Sequence, residues 1–409
     1  MPDQLSINAL PPEIFLQIFA YLPVKQLLKC RLVSSRWREI VDELSRSDIF
    51  WKRQCEVDFS SVCKIARKKC RVGMDWCSIY RSLSLWARLG EAIENRDEFC
   101  SAADVQDEIR NCTILRNGVI SVHKRHAIVY YDIETLKPLK PLMTGDCLKY
   151  SENDDVIAIL NYHLQLSVKR KVTNKSTIFK EVKTFLLLDH ALYYVSINDE
   201  IYICRLDKKN LRNKFLVDSE TSIVAMGYSN DRLHLLTFER TIYTVIDSKL
   251  SFATSLGPTS NLLHILHQYN LLELLDWRIY FQWMFVLNHS IPQGPLQDIV
   301  TTRIYGDVVF VGSNLGVLRI YYKPYTLEEF DIFTAVPIKQ YNFMERSDCP
   351  VLSMCPILDV DVQEVNDGHT VMVAMPKKIA ILNFTHNLQR TFSALPYTER
   401  DTVKFITID

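Results

Sequence analysis

Along this 409-residue chain the apolar positions keep two different rhythms. Up to about residue 105 they recur at helical spacing; from residue 106 onward they gather in short runs separated by polar breaks. Pro11 and Pro12 suit the first turn of a helix, where a fixed φ helps and a missing N–H costs nothing, so a helix is expected over residues 11–22. Its apolar residues, Ile14, Phe15, Leu16, Ile18, Phe19, Tyr21 and Leu22, fill more than one stripe. Pro23 ends it, and residues 24–33 predict a second short helix carrying Leu27, Leu28 and Leu32. Ser34 or Ser35 caps a third, in which Trp37, Ile40, Val41 and Leu44 recur at i, i+3, i+4 and i+7. So small a unit cannot bury all of these side chains by itself, and the excess apolar surface predicts a partner.

Helical spacing continues over residues 48–59 and 75–93, with Gly73 as the break between them, and residues 53–105 are read as a rigid helical spacer. Cys55, Cys63, Cys70 and Cys77 fall at intervals of eight and seven. Structural zinc sites use tight Cys pairs or added His, and no His precedes His123, so these are read as small residues on helical faces. Lys64, Arg67, Lys68, Lys69 and Arg71 form a basic cluster, read either as a solvated helix face or as a nuclear address.

Beyond the spacer, pairs of apolar runs repeat: 119–122 with 128–131, 156–160 with 164–168, 192–195 with 201–203, 233–236 with 242–246, 271–275 with 279–283, 308–311 with 317–321, and 371–374 with 379–382. Each pair is a hairpin signature. The runs are continuously apolar rather than alternating, as expected of strands covered on both faces. Seven units of about 43 residues match the size of a four-stranded propeller blade, with a six- or eight-bladed ring, or another repeated β fold, as the alternatives. The last step, longer than the others, is read as holding an insertion, and residues 402–408 alternate like a strand that closes the ring.

Composition narrows the function classes. Forty-eight basic residues balance forty-eight acidic ones, so no net field draws the chain to nucleic acid or an anionic membrane. The longest apolar stretch, 262–291, is broken by His264, His267, Asn270, Glu273, Asp276 and Arg278, and no membrane span is expected. Eleven cysteines without a Cys-x-x-Cys pair, and an amino terminus unlike a signal sequence, predict reduced thiols in cytosol or nucleus. Only 11 glycines are present, with no phosphate-binding fingerprint. No cofactor, metal or catalytic group is expected.

Leu10-Pro11-Pro12-Glu13-Ile14, Ile18-Phe19-Ala20-Tyr21-Leu22, Leu27-Leu28, Arg31-Leu32-Val33-Ser34, Arg36-Trp37 and Phe50-Trp51-Lys52 resemble an F-box. Residues 128–135 and 312–321 are similar to the second and third strands of WD repeats, although the Trp-Asp dipeptide is missing and the one Gly-His, Gly368-His369, falls in the expected insertion. The resemblance implies that Asp132 braces its turn. It also implies a multi-domain α plus all-β protein: an F-box over 6–52, a helical linker over 53–105, and a degenerate WD-repeat-like β-propeller of seven blades over 106–409.

Members of the F-box/WD-repeat class serve as substrate receptors of SCF-type ubiquitin ligases without doing bond chemistry themselves. The resemblance therefore implies that Leu10, Pro11, Ile14, Ile18, Leu22, Leu28, Val33 and Trp37 meet the Skp adaptor, and through it cullin and RING subunits. For Ile14, Leu28 and Trp37 the competing reading is the domain's own core. Cargo is expected at the turns between second and third strands, where Lys124, Arg125, His126, His163, Arg240, Arg278, Lys377 and Lys378 stand beside Asp199, Glu200, Glu239 and Asp276. Basic side chains there would read a phosphorylated or acidic protein segment, with Trp277 as an aromatic anchor; the competing reading is a mixed, solvated rim, with Trp277 in the core. The alternative function is a scaffold that engages the adaptor outside any degradation complex.

Overall fold

The computed structural model describes residues 10–100, 108–115, 118–207, 211–257, 262–271, 299–323, 330, 335–343 and 355–387. Three short helices come first, α1 (Pro12–Ala20), α2 (Val24–Cys30) and α3 (Ser35–Ser45). Proline precedes both α1 and α2, and Ser34 caps α3 by accepting the Trp37 N–H at 3.2 Å. Phe15, Phe19, Val24, Leu27, Ile40, Val41 and Leu44 form their shared core.

The spacer follows as α4 (Asp48–Asp58), α5 (Cys63–Lys69) and α6 (Trp76–Leu85), extended by a 3-10 turn over Trp86–Glu91. Gly73 makes the break with a φ of +87°. Helix then stops earlier than the spacing predicted, because β1 (Ile93–Cys100) occupies part of the stretch read as helical. Its sequence is mostly charged or polar and residues 93–99 are exposed or half-buried, so no apolar run announced it.

Together with β1, the remaining strands assemble into six four-stranded antiparallel sheets among the described residues. The first contains β2 (Ile109–Ile114), β3 (Val119–Lys124), β4 (Ala127–Asp132) and β5 (Leu142–Met143). The second contains β6 (Cys147–Glu152), β7 (Val156–Asn161), β8 (Leu166–Arg170) and β9 (Ser176–Phe179). The third contains β10 (Val182–Leu187), β11 (Ala191–Ser196), β12 (Glu200–Arg205) and β13 (Asn213–Asp218). The fourth contains β14 (Ile223–Ser229), β15 (Arg232–Thr237), β16 (Thr241–Ile246) and β17 (Lys249–Ser255). After α7 (Leu262–Gln268) come β18 (Ile299–Tyr305), β19 (Val308–Ser313), β20 (Val317–Tyr322) and β21 (Lys339–Asn342). The last sheet holds β22 (Asp359–Val365), β23 (Gly368–Ala374) and β24 (Lys378–Thr385).

Six of the seven expected hairpins are the central strand pairs of these sheets, and the fifth, 271–275 with 279–283, lies outside the described residues apart from Leu271. The strands before and after each pair were not visible as apolar runs. This is the blade arrangement of a β-propeller. First strands of neighbouring sheets touch, including β22 with both β18 and β2. A repeated seam joins sheets: Cys147 N–H donates to Arg125 O at 2.8 Å, Val182 N–H to Leu164 O at 2.9 Å, and Ile109 N–H to Pro376 O at 2.7 Å. The last of these links the final sheet to the first.

The free edge of the final sheet is filled from the other end of the chain. β1 pairs antiparallel with β24, from Ile93 opposite Thr385 to Cys100 opposite Lys378. An edge strand supplied from before the propeller ties last sheet to first and leaves no exposed ladder on β24. Residues 402–408, expected to make this closure, lie outside the described residues. Gly368 and His369 are also reassigned, from an insertion to the start of the wholly buried strand β23. A side chain at Gly368 would run into the Phe384 carbonyl, so close strand approach requires glycine there.

Candidate docking surfaces

The first surface is on the short helices. On α1 the buried face carries Phe15 and Phe19, while Pro11, Ile14 and Ile18 form an exposed stripe at i, i+3 and i+7. Ile14 is 40% and Ile18 43% exposed, and Val33 just past α2 is 62% exposed. Leu10, Leu22, Leu28 and Trp37 are half-buried and pack on the core. Trp37 lies edge-on against Phe15 and Phe19, with centroids at 5.4 and 5.1 Å. Arg36 donates to Leu10 O at 2.6 Å and lies over Phe15, so the start of α1 is fixed against α3. The core reading thus does not hold for Ile14 and holds only in part for Leu28 and Trp37. Leu32, also exposed, extends the apolar surface and was not among the expected adaptor contacts.

The second surface concerns the two ends of the propeller. One end is covered by the spacer. Val62 packs against Gly306 in the β18–β19 turn. Lys68 pairs with Asp189 in the β10–β11 turn, Arg71 with Glu134 after β4, and Arg81 with Asp367 in the β22–β23 turn. Lys69 reaches Asp361 inside β22 at 2.5 Å, where Arg303 approaches at 3.2 Å and Ile114 N–H donates at 2.8 Å. The basic cluster is therefore largely used as a clamp: Lys68, Lys69 and Arg71 each hold a different sheet, and Arg67 turns inward to donate to Met74 O over the Trp76 ring.

Glu364 deepens the joint. Its buried carboxylate meets Ser82, accepts the Trp86 indole N–H at 2.9 Å, and lies 2.8 Å from His369 Nδ1. Trp86 stacks on the His369 ring with centroids at 3.7 Å. Burial alone would raise the carboxyl of Glu364, yet His369, Ser82 and Trp86 hold it below the usual carboxylate range. Burial would likewise raise Asp361, and Lys69 and Arg303 hold it down.

The opposite end carries the turns between second and third strands. Four share one design: a short polar residue ends the second strand, and the residue three later has positive φ. These pairs are Asn161 with Leu164 (+56°), Ser196 with Asp199 (+60°), Thr237 with Arg240 (+65°), and Ser313 with Gly316 (+72°). The Asn, Ser and Thr side chains accept turn N–H groups, as Asn161 does from His163 at 3.0 Å and Gln165 at 2.9 Å. Asp132 braces its own turn as expected, accepting from Thr135 N–H at 2.7 Å. Inside the shared design stand Tyr162, Ile197, Phe238 and Leu315, all exposed and none recognised from sequence.

The expected basic contacts fare unevenly. Lys124 and Lys378 are each only 4% exposed; Lys378 binds Glu98 at 3.3 Å and Phe343 O at 3.2 Å, so these two lysines are structural. Arg125 and His126 are exposed and share Asp146, at 3.1 and 3.4 Å. His163 is exposed, Arg240 and Lys377 are half-buried, and Trp277 and Arg278 lie outside the described residues. The four cysteines of the spacer are free thiols, with Cys55 and Cys63 buried. Among the described residues no helix is long and apolar enough to cross a membrane.

Residues 7–56 match the family model described as F-box-like. The N-terminal helices are an F-box-like domain. The chain is 47% identical over 51 residues to the human F-box only protein 6, covering 12% of this chain and 16% of that protein. It is 41% identical over 68 residues to the probable E3 ubiquitin ligase complex SCF subunit sconB of Aspergillus oryzae, covering 17% of this chain and 8% of the other. The chain thus spans less than a fifth of either relative. Among solved structures, the computationally designed Ika8 protein aligns with 68% of this chain and 96% of its own at 10% identity and a TM-score of 0.40. The F-box-like match ends within α4, short of α5, α6 and the sheets.

Proposed function

We propose that this chain is a non-catalytic substrate-recruiting subunit of an SCF-type ubiquitin ligase. The F-box-like domain would dock on the Skp adaptor through Leu10, Pro11, Ile14, Ile18, Leu22, Leu28, Val33 and Trp37, and so reach cullin and RING subunits. The observation that carries the reading is the pairing of an exposed apolar stripe on α1 with a propeller whose other end is left uncovered by the spacer. Cargo protein is placed on the uncovered turns, with Tyr162, Ile197, Phe238 and Leu315 as the apolar centre and Arg125, His126, His163, Arg240 and Lys377 as the polar rim. Holding adaptor and cargo on one rigid body raises the effective concentration of cargo lysines beside the conjugating enzyme. The site of action is cytosol or nucleus.

The test is affinity purification of wild type beside a Leu10→Ala, Pro11→Ala, Ile14→Ala variant, with quantitative mass spectrometry. Adaptor and cullin should come with wild type only, and cargo with both. Loss of the adaptor from both samples would remove the ligase reading.

A further inference from the structure

The first strands of the sheets carry a repeated irregularity at the uncovered end. In each of the first five sheets the first strand holds one more residue than its partner near its start, as between Ile109 and Asn111 of β2 or Val182 and Thr184 of β10, while β22 of the last sheet keeps its register. Such a bulge re-aims the extra side chain. Four of these extra residues are Arg110, Leu148, Lys183 and Val224. First strands neighbour one another around the ring and begin beside the turns between second and third strands, which places the bulged residues toward the centre of the uncovered face.

Arg110 differs from the others in what it leaves unspent. It is half-buried, its Nη1 donates to Cys147 O of the next sheet at 3.0 Å and to the Tyr162 hydroxyl, and the guanidinium lies 5.4 Å from the Tyr162 ring centroid. Both Nη1 hydrogens are thereby used. The edge formed by Nε–H and Nη2 has no acceptor among the described residues, and no carboxylate there pairs with the group. Its neighbours are already neutralised: Lys183 pairs with Asp199 at 2.9 Å, and Arg125 and His126 share Asp146. Lys149 is turned into the next sheet, where it donates to Thr184 and to Phe185 O. Leu148, 40% exposed, and the Tyr162 ring supply apolar surface beside the open edge.

Two parallel N–H groups on a fixed guanidinium match the two oxygens of a carboxylate. A phosphate brings nearly two charges and three acceptor oxygens, which one edge cannot satisfy. Asp146, adjoining the Cys147 that holds Arg110, adds repulsion against a dianion.

We propose that Arg110 is the specificity-determining residue of the cargo surface and receives an unphosphorylated Asp or Glu of the cargo, with a neighbouring apolar residue on Leu148 and Tyr162. This deepens, and rests on, the reading that cargo binds the uncovered end. Replacing the acid with phosphoserine gives no gain at such a site.

The experiment selects a phage-displayed random peptide library on the immobilised full chain and titrates the enriched peptides by fluorescence polarisation. Enriched sequences should share an Asp or Glu close to an apolar residue. Changing that acid to its amide in the peptide, or Arg110→Gln in the protein, should each weaken binding about tenfold, and the two together little further. Arg110→Lys, which keeps the charge and loses the fork, should still weaken it about threefold. Loss of binding with Phe238→Ser but not with Arg110→Gln would overturn the Arg110 assignment and leave the cargo end standing; indifference to both would remove the cargo reading as well. Absence of an acidic consensus, additive effects of the paired changes, or tighter binding of a phosphoserine peptide would each overturn the assignment.

Discussion

The two ends of the propeller are made by the same strand topology and have opposite surfaces. At one end the turns between first and second strands, and those after the third, meet the spacer through Asp189, Glu134, Asp367 and Gly306. At the other, the turns between second and third strands are short, braced from within, and carry exposed Tyr162, Ile197, Phe238 and Leu315. Topology therefore builds the blades but does not choose which end is covered. Here that choice is made by a basic helix in the spacer, whose Lys68 and Lys69 find Asp189 and Asp361.

This contrast can be broken most severely at Asp361. Replacing it with Ala would leave Lys69 and Arg303 facing a buried, unpaired site, and a loss of about 3–5 kcal/mol is expected by chemical denaturation. A result near zero would mean that the clamp is not a source of stability. Gly368→Ala forces β23 away from β24 at the same joint, with an expected cost of about 1–3 kcal/mol or more.

Acid should attack buried histidines. Burial pushes the His123 imidazole from 6.5 down to about 4, and nearby Arg110 adds to the effect. The unfolded chain therefore binds the extra proton first, and the stability present above pH 6.5 is lost as pH falls toward 4. By pH 5 the contribution of His123 is about 2 kcal/mol. His123→Phe should flatten this part of the stability–pH curve; an unchanged slope would show that another group titrates there.

Smaller effects separate the ends further. Lys68→Ala removes an exposed pair and should cost less than about 1 kcal/mol. Phe238→Ser on the open end should change stability by no more than about 0.5 kcal/mol while weakening cargo capture. A large stability loss from Phe238→Ser would show that the turn residue is structural and remove it from the proposed cargo surface.

Legibility followed burial. Central strands such as Val308–Ser313 and Gly368–Ala374 are buried along their whole length, so hydrophobic side chains dominate them and the repeat is visible in one sequence. β1 and β17, mostly exposed on outer edges, carry residues that a loop would also carry, and went unseen. The exposed stripe on α1 was legible because Pro11, Ile14 and Ile18 are apolar without being needed for the core. The turns between second and third strands were read from charge, and the structure draws attention instead to the apolar residue inside each braced turn. The signal was present as Asn, Ser or Thr followed three residues later by a positive-φ position, but Leu164, Asp199 and Arg240 do not betray that conformation in their identity.

The helical F-box-like unit, the repeated hairpins and the apolar surplus on α1 are readable in the chain alone, because periodicity and local turn chemistry act over a few residues. It takes the folded chain to show that β1 completes the last sheet, that the basic cluster clamps one end, and that Lys124 and Lys378 are buried. Those outcomes pair residues up to nearly three hundred positions apart, as Lys69 with Asp361. Such a pairing depends on where the chain returns in space, and neither partner's local pattern carries that information.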